Sequence, residues 1–155
     1  MDRWVTVAGL FVVFVLVGTG PLTGVDVTSA SASTFGDGNA TVSKVSVDQS
    51  ELGLTPGRFG TNVTYLRVPA AAITVDAVSQ RPQLLYIVSV PGLDIRLVET
   101  SVVTEAGTYR LVPDDRAMPP GRADGTYDAV LTVRVQSFTT DRTLARTTVT
   151  VGDGQ

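Results

Sequence analysis

Neither cysteine nor histidine occurs anywhere in the chain, and lysine occurs once, at Lys44. Each absence closes off a class of chemistry. Without cysteine there is no disulfide framework, so an exported domain of this size must be held by its core alone. Without histidine no Ser-His-Asp or Cys-His nucleophile system exists. A histidine-based zinc or iron site is excluded for the same reason. Positive charge is also scarce: 12 Lys and Arg stand against 15 Asp and Glu, a formal net charge of −3. That balance argues against a nucleic-acid partner and against binding anionic lipid by charge alone. No cofactor is implied by any motif.

What the chain does have, first, is an uncharged run from Trp4 to Val17. Arg3 and the α-amino group precede it, and the next charge is Asp26. The positive-inside bias keeps the N-terminus cytoplasmic and sends the rest outward. A full span needs about 20 apolar residues, and extension through Leu22 reaches that length. Ala30-Ser31-Ala32 has the small-x-small pattern of a signal-peptidase site, but it lies far beyond Val17. That distance favours an uncleaved or slowly cleaved anchor, with secretion after cleavage near Ala32 as the alternative. A buried helix of a soluble domain is the poorer explanation, because the run is apolar on every face.

Residues 23–40 are rich in Gly, Ser, Thr and Ala and read as a flexible tether. Residues 41–151 then form one domain of ordinary size behind the 1–22 signal anchor or signal peptide. Strand signals recur through it: Thr41–Val47, Asn62–Val68, Ile73–Ala77, Leu84–Val90, Leu93–Leu97, Tyr109–Leu111, Tyr127–Gln136 and Arg142–Val151. Leu54-Thr55-Pro56-Gly57 reads as a turn, and Asp114–Gly125 as a loop. Leu84–Val90 is almost wholly apolar, which fits a central strand covered on two faces. Tyr127, Ala129, Leu131, Val133 and Val135 share one parity, while Ala145, Thr147, Val149 and Val151 share another. No stretch after residue 40 has a helical repeat. Short strands at roughly ten-residue spacing, joined by Gly and Pro turns, predict an all-β antiparallel sandwich of about seven or eight strands.

Asp124-Gly125-Thr126-Tyr127-Asp128-Ala129-Val130-Leu131-Thr132-Val133 resembles the penultimate strand of immunoglobulin-like surface domains. In that family a tyrosine near the strand start bonds back to the chain and pins a corner, and Tyr127 would be that residue. Arg146–Val151 resembles the family's last strand, and Val45–Val68 loosely resembles its first two. Adhesion-related modules of the CARDB type share this outline. The resemblance implies an immunoglobulin-like β-sandwich and a surface location, but no activity.

Several side-chain groupings bear on chemistry. Asp114, Asp115, Asp124 and Asp128 are the densest acidic cluster. Calcium wants six to eight oxygen ligands, and the spacing matches no EF-hand loop, so solvated turns are the favoured reading. Use of the same carboxylates for glycoside hydrolysis needs two of them held across a sugar site, and Asp114 with Asp115 is a poor pair. Lys44 beside Ser43 or Ser46 has the makings of a Ser-Lys nucleophile only if the lysine is buried. Asn39-Ala40-Thr41 and Asn62-Val63-Thr64 are N-glycosylation sequons, the first on the expected tether. Arg134, Arg142 and Arg146 are expected on the outer face of the final hairpin, where alternation with Thr is typical of a solvated strand.

The functional expectation is an exported, membrane-anchored domain with a non-catalytic binding or structural role in the cell envelope. Its partners would be the membrane, through the N-terminal helix, and an envelope protein. An accessory subunit of a surface filament or secretion apparatus is one concrete version. The rival is an exported carboxylate-dependent enzyme or a calcium-dependent binding module.

Overall fold

A computed structural model describes residues 37–58 and 62–152. The expected anchor at 1–22, most of the tether and the Ala30-Ser31-Ala32 pattern lie outside the described residues. No helix among the described residues is long and apolar enough to cross a membrane.

Ten strands follow in order: β1 Gly38–Val47, β2 Gly53–Pro56, β3 Thr64–Arg67, β4 Ala71–Gln80, β5 Gln83–Val90, β6 Ile95–Val102, β7 Gly107–Leu111, β8 Arg116–Met118, β9 Thr126–Gln136 and β10 Asp141–Gly152. No α-helix occurs among the described residues; two single 3₁₀ turns cover Gln49–Glu51 and Pro91–Leu93. All pairings are antiparallel, in three sheets ordered β1-β4-β7, β10-β9-β5-β6 and β2-β3-β8. The result is an all-β, sandwich-like fold.

Two strands exceed the expected number, and both belong to the third sheet. Leu54-Thr55-Pro56, read as a turn, is strand β2, paired residue for residue with β3. Proline is tolerated because Pro56 ends an edge strand, where its missing N–H has no ladder partner to deprive. Gly57 N–H then donates to the Val63 carbonyl at 2.6 Å and closes the connection. Within the expected 114–125 loop, Arg116–Met118 pairs with β3 as β8.

One buried cluster joins all three sheets. It takes Ile73 and Val75 from β4, Leu84, Tyr86, Val88 and Val90 from β5, and Ala129, Leu131, Val133 and Val135 from β9. Leu54, Leu66 and Met118 of the small sheet belong to the same cluster. The alternation expected for β9 is what sets its face: the odd residues from Ala129 to Val135 are buried, and their even neighbours look outward.

β5 is central, as its composition suggests, lying between β9 and β6. It is not covered alike on both faces, however. Leu84, Tyr86, Val88 and Val90 face the core, while Leu85 and Ile87 face away from it beside Thr132, Arg134 and Val98. Ile87 is only 9% exposed yet stands outside the core cluster, shielded by neighbours on its own sheet face.

Tyr127 starts β9 and its hydroxyl donates to the Asp124 carbonyl at 3.0 Å, the back-bond the resemblance implied. Its ring leaves no room over Gly92, where an added Cβ would lie 2.8 Å from Tyr127 Cδ1. Gly92→Ala is therefore expected to cost about 1–3 kcal/mol through overpacking against a ring held at both ends. Urea unfolding checks this: the cost should shrink in a Tyr127→Val background, and an equal cost there would rule out the ring as its cause. A second close approach occurs at Gly38, with φ +105°, whose Cβ would fall 1.9 Å from the Ser79 carbonyl oxygen. Only glycine admits both that torsion and that contact.

Candidate functional site

The four carboxylates singled out from sequence take up separate structural posts. Asp115 accepts from the Val68 N–H at 3.2 Å and lies 3.7 Å from the Arg67 guanidinium. Asp128 accepts from the Thr150 hydroxyl across the β9–β10 pair. Asp124 contributes its carbonyl to Tyr127. Asp114 is exposed in the stretch between β7 and β8. No group of three Asp or Glu among the described residues is placed to hold a metal ion.

Lys44 is exposed on β1, and neighbouring Ser43 donates its hydroxyl to Asp76 at 2.7 Å. The three arginines expected together on the outer face of the final hairpin do not all lie there. A register shift between Thr143 and Ala145 puts an extra residue into β10. Arg142 therefore falls on the opposite side of the strand from Arg146, and its guanidinium donates to the Ala40 carbonyl at 3.0 Å. Arg134 stays on the outer face, where it pairs with Asp141. The expected trio of arginines is thus split, because a bulge reverses side-chain parity.

Asn39 sits inside β1, which begins at Gly38 rather than at Thr41, so this sequon is in a strand and not in a tether. Its side-chain oxygen accepts from the Ala40 N–H at 2.8 Å, and Ala40 is buried. Asn62 is exposed, precedes β3 and has φ 48°, a left-handed conformation that asparagine adopts more readily than most residues. Both asparagines are exposed, Asn39 within a strand and Asn62 outside one.

Asp48 caps the Gln49–Glu51 turn. The Ser50 hydroxyl, and then the Ser50 N–H, bond its charged form and hold the carboxyl below its ordinary value. This is turn chemistry.

Sequence reasoning missed the most distinctive concavity. A cavity of about 450 Å³ opens between β6 with its preceding turn and β8 with its following loop. Its floor includes the buried side chains Leu93 and Met118. Arg96, Arg116 and Arg122 line it, with Asp94 as the acidic member. Three arginines against one aspartate leave a local excess of positive charge on a chain whose net charge is −3. All three arginines are exposed, and Arg122 reaches the Leu93 carbonyl at 3.4 Å, a long and weak bond. None forms an ion pair among the described residues. Both flanking strands are sheet edges: among the described residues β6 pairs only with β5, and β8 only with β3. An edge strand presents unpaired N–H and C=O groups on its free side. The arrangement offers directed backbone bonding, positive charge and a small apolar floor in one place.

Compared with known proteins, the chain matches no family model, no curated protein and no solved structure.

Proposed function

We propose that this chain is an exported, membrane-anchored domain that acts by binding, as a non-catalytic part of the cell envelope. An accessory role in a surface filament or secretion apparatus is its concrete form. The observation that carries the binding reading is the cationic groove between two free strand edges. Such edges accept an added strand from a partner. Two of the four carboxylates a rival enzyme would use, Asp115 and Asp128, instead make local bonds to Arg67, Val68 and Thr150.

An immunoglobulin-like kinship is proposed on three grounds. The order β1-β4-β7 corresponds to strands A, B and E of that architecture, and β10-β9-β5-β6 to G, F, C and an added C′. Tyr127 makes the corner bond at the start of the strand in the F place. Tyr86, the largest fully buried side chain, occupies the strand in the C place, where antibody domains carry a core tryptophan. β2, β3 and β8 are then insertions between A and B and between E and F.

The location is tested by fractionating cells that make the full-length chain. The expected result is full-length protein in the membrane fraction, with the domain digested by protease added outside intact cells. Protein recovered free in the medium without residues 1–32 would exclude the anchor, and protection from external protease would exclude the outward orientation. Crosslinking and purification from those membranes should yield a stoichiometric protein partner; recovery of the chain alone counts against the binding role.

A further inference from the structure

Resting on that binding role, we propose that the groove between β6 and β8 receives an acidic, extended segment of a partner protein. The segment adds as a strand to β6 and sets its carboxylates against Arg96, Arg116 and Arg122.

Charge selects the sign of the occupant. Three arginines converge from β6, β8 and the loop after β8, and Asp94 offsets one of them. A single charge is enough to guard a strand edge against self-association. Three charges drawn from separate elements around one cavity exceed that need and attract the opposite sign. Guanidinium groups suit carboxylates in particular, because their planar fork makes paired N–H···O bonds.

The edge selects the shape. β6 runs over Ile95–Val102 with one side unpaired by any strand among the described residues, and its first three residues line the groove. In an added strand, alternate side chains point the same way and lie roughly 6–7 Å apart. Acidic residues at every second position therefore line up along one side, within reach of arginines distributed along the groove. The intervening side chains have Leu93 and Met118 as an apolar floor. A polyanion without a backbone to pair would use the arginines and leave the edge unused, so pairing and charge are separable.

The test uses the full-length protein and a fluorescent octapeptide of alternating Glu and Val, followed by anisotropy at low and high salt. The peptide is expected to bind at low salt and to weaken as salt rises. Replacing its Glu residues with Lys should abolish binding. Arg96→Glu with Arg116→Glu should weaken binding by about tenfold or more, since each substitution turns attraction into repulsion. Both side chains are exposed, so the unfolding midpoint of the variant should match the parent. N-methylating alternate peptide amides of one parity should remove binding without changing charge, while the other parity is tolerated. The proposal is overturned if the charge reversal leaves affinity unchanged, or if methylation of neither parity matters. It is likewise overturned if inorganic polyphosphate binds the same arginines as tightly as the peptide. If the parent protein fails to bind the peptide yet still retains its crosslinked membrane partner, the groove assignment alone falls. Failure of both removes the binding role as well.

Discussion

Tyr86→Phe should make the protein more resistant to alkali than its parent. Tyr86 is completely buried at the centre of β5, and its hydroxyl has no hydrogen-bond partner among the described residues. Burial penalises the phenolate and pushes the pKa from 10.0 up to about 12. The direction of the pH effect follows from proton counting. Between pH 10 and about 12 the unfolded chain releases this proton while the folded chain keeps it. The folded state then binds more protons, so stability falls as pH rises. The slope contributed by one such group is about 1.4 kcal/mol per pH unit, and the loss across the window is about 2–3 kcal/mol. Below pH 10 the group contributes no pH dependence. The Phe variant lacks the ionisation, so the gap between the two proteins' urea midpoints should stay nearly constant from pH 8 to 10 and widen by pH 11.5. At neutral pH the variant should also gain up to about 1–2 kcal/mol, since an unpaired buried hydroxyl carries a desolvation cost. Parallel pH profiles would refute the burial argument.

Leu66→Ala should cost about 2–5 kcal/mol and leave a single cooperative unfolding transition. Leu66 is fully buried on β3, opposite Leu54 of β2, and both lie in the cluster that contains Leu84 and Val133. If the small sheet is part of one core, removing Leu66 weakens the whole domain, as Leu84→Ala would. Against a typical stability of about 5–15 kcal/mol, either change is large. A small sheet that merely rested on the sandwich would give another result: a low early transition, with the main midpoint unmoved. Calorimetry on both variants separates these outcomes.

The two strands that sequence reasoning passed over are both short. β8 has three residues and β2 has four, one of them proline, too few for any alternation to show. Each exists because β3 offers a pairing edge, to β2 across a short connection and to β8 from chain distant in sequence. The same holds for the groove. Arg96 reads locally as the polar partner of Ile95 and Leu97, and Arg116 and Arg122 read as loop residues. Nothing within a window of ten residues says that the three meet. The bulge in β10 had no local mark either, and it alone moved Arg142 away from Arg146.

The sequence by itself determined the all-β class, the inward parity of β9, the central place of β5 and the corner made by Tyr127. These follow from periodicity, turn residues and one short motif, all of which act between near neighbours. Tertiary structure alone decided the third sheet, the parting of the arginines on the last hairpin and the cationic groove at the β6 edge. Those features depend on which edges meet and in what register, and such pairings are fixed by burying a shared core rather than by any residue's local preference.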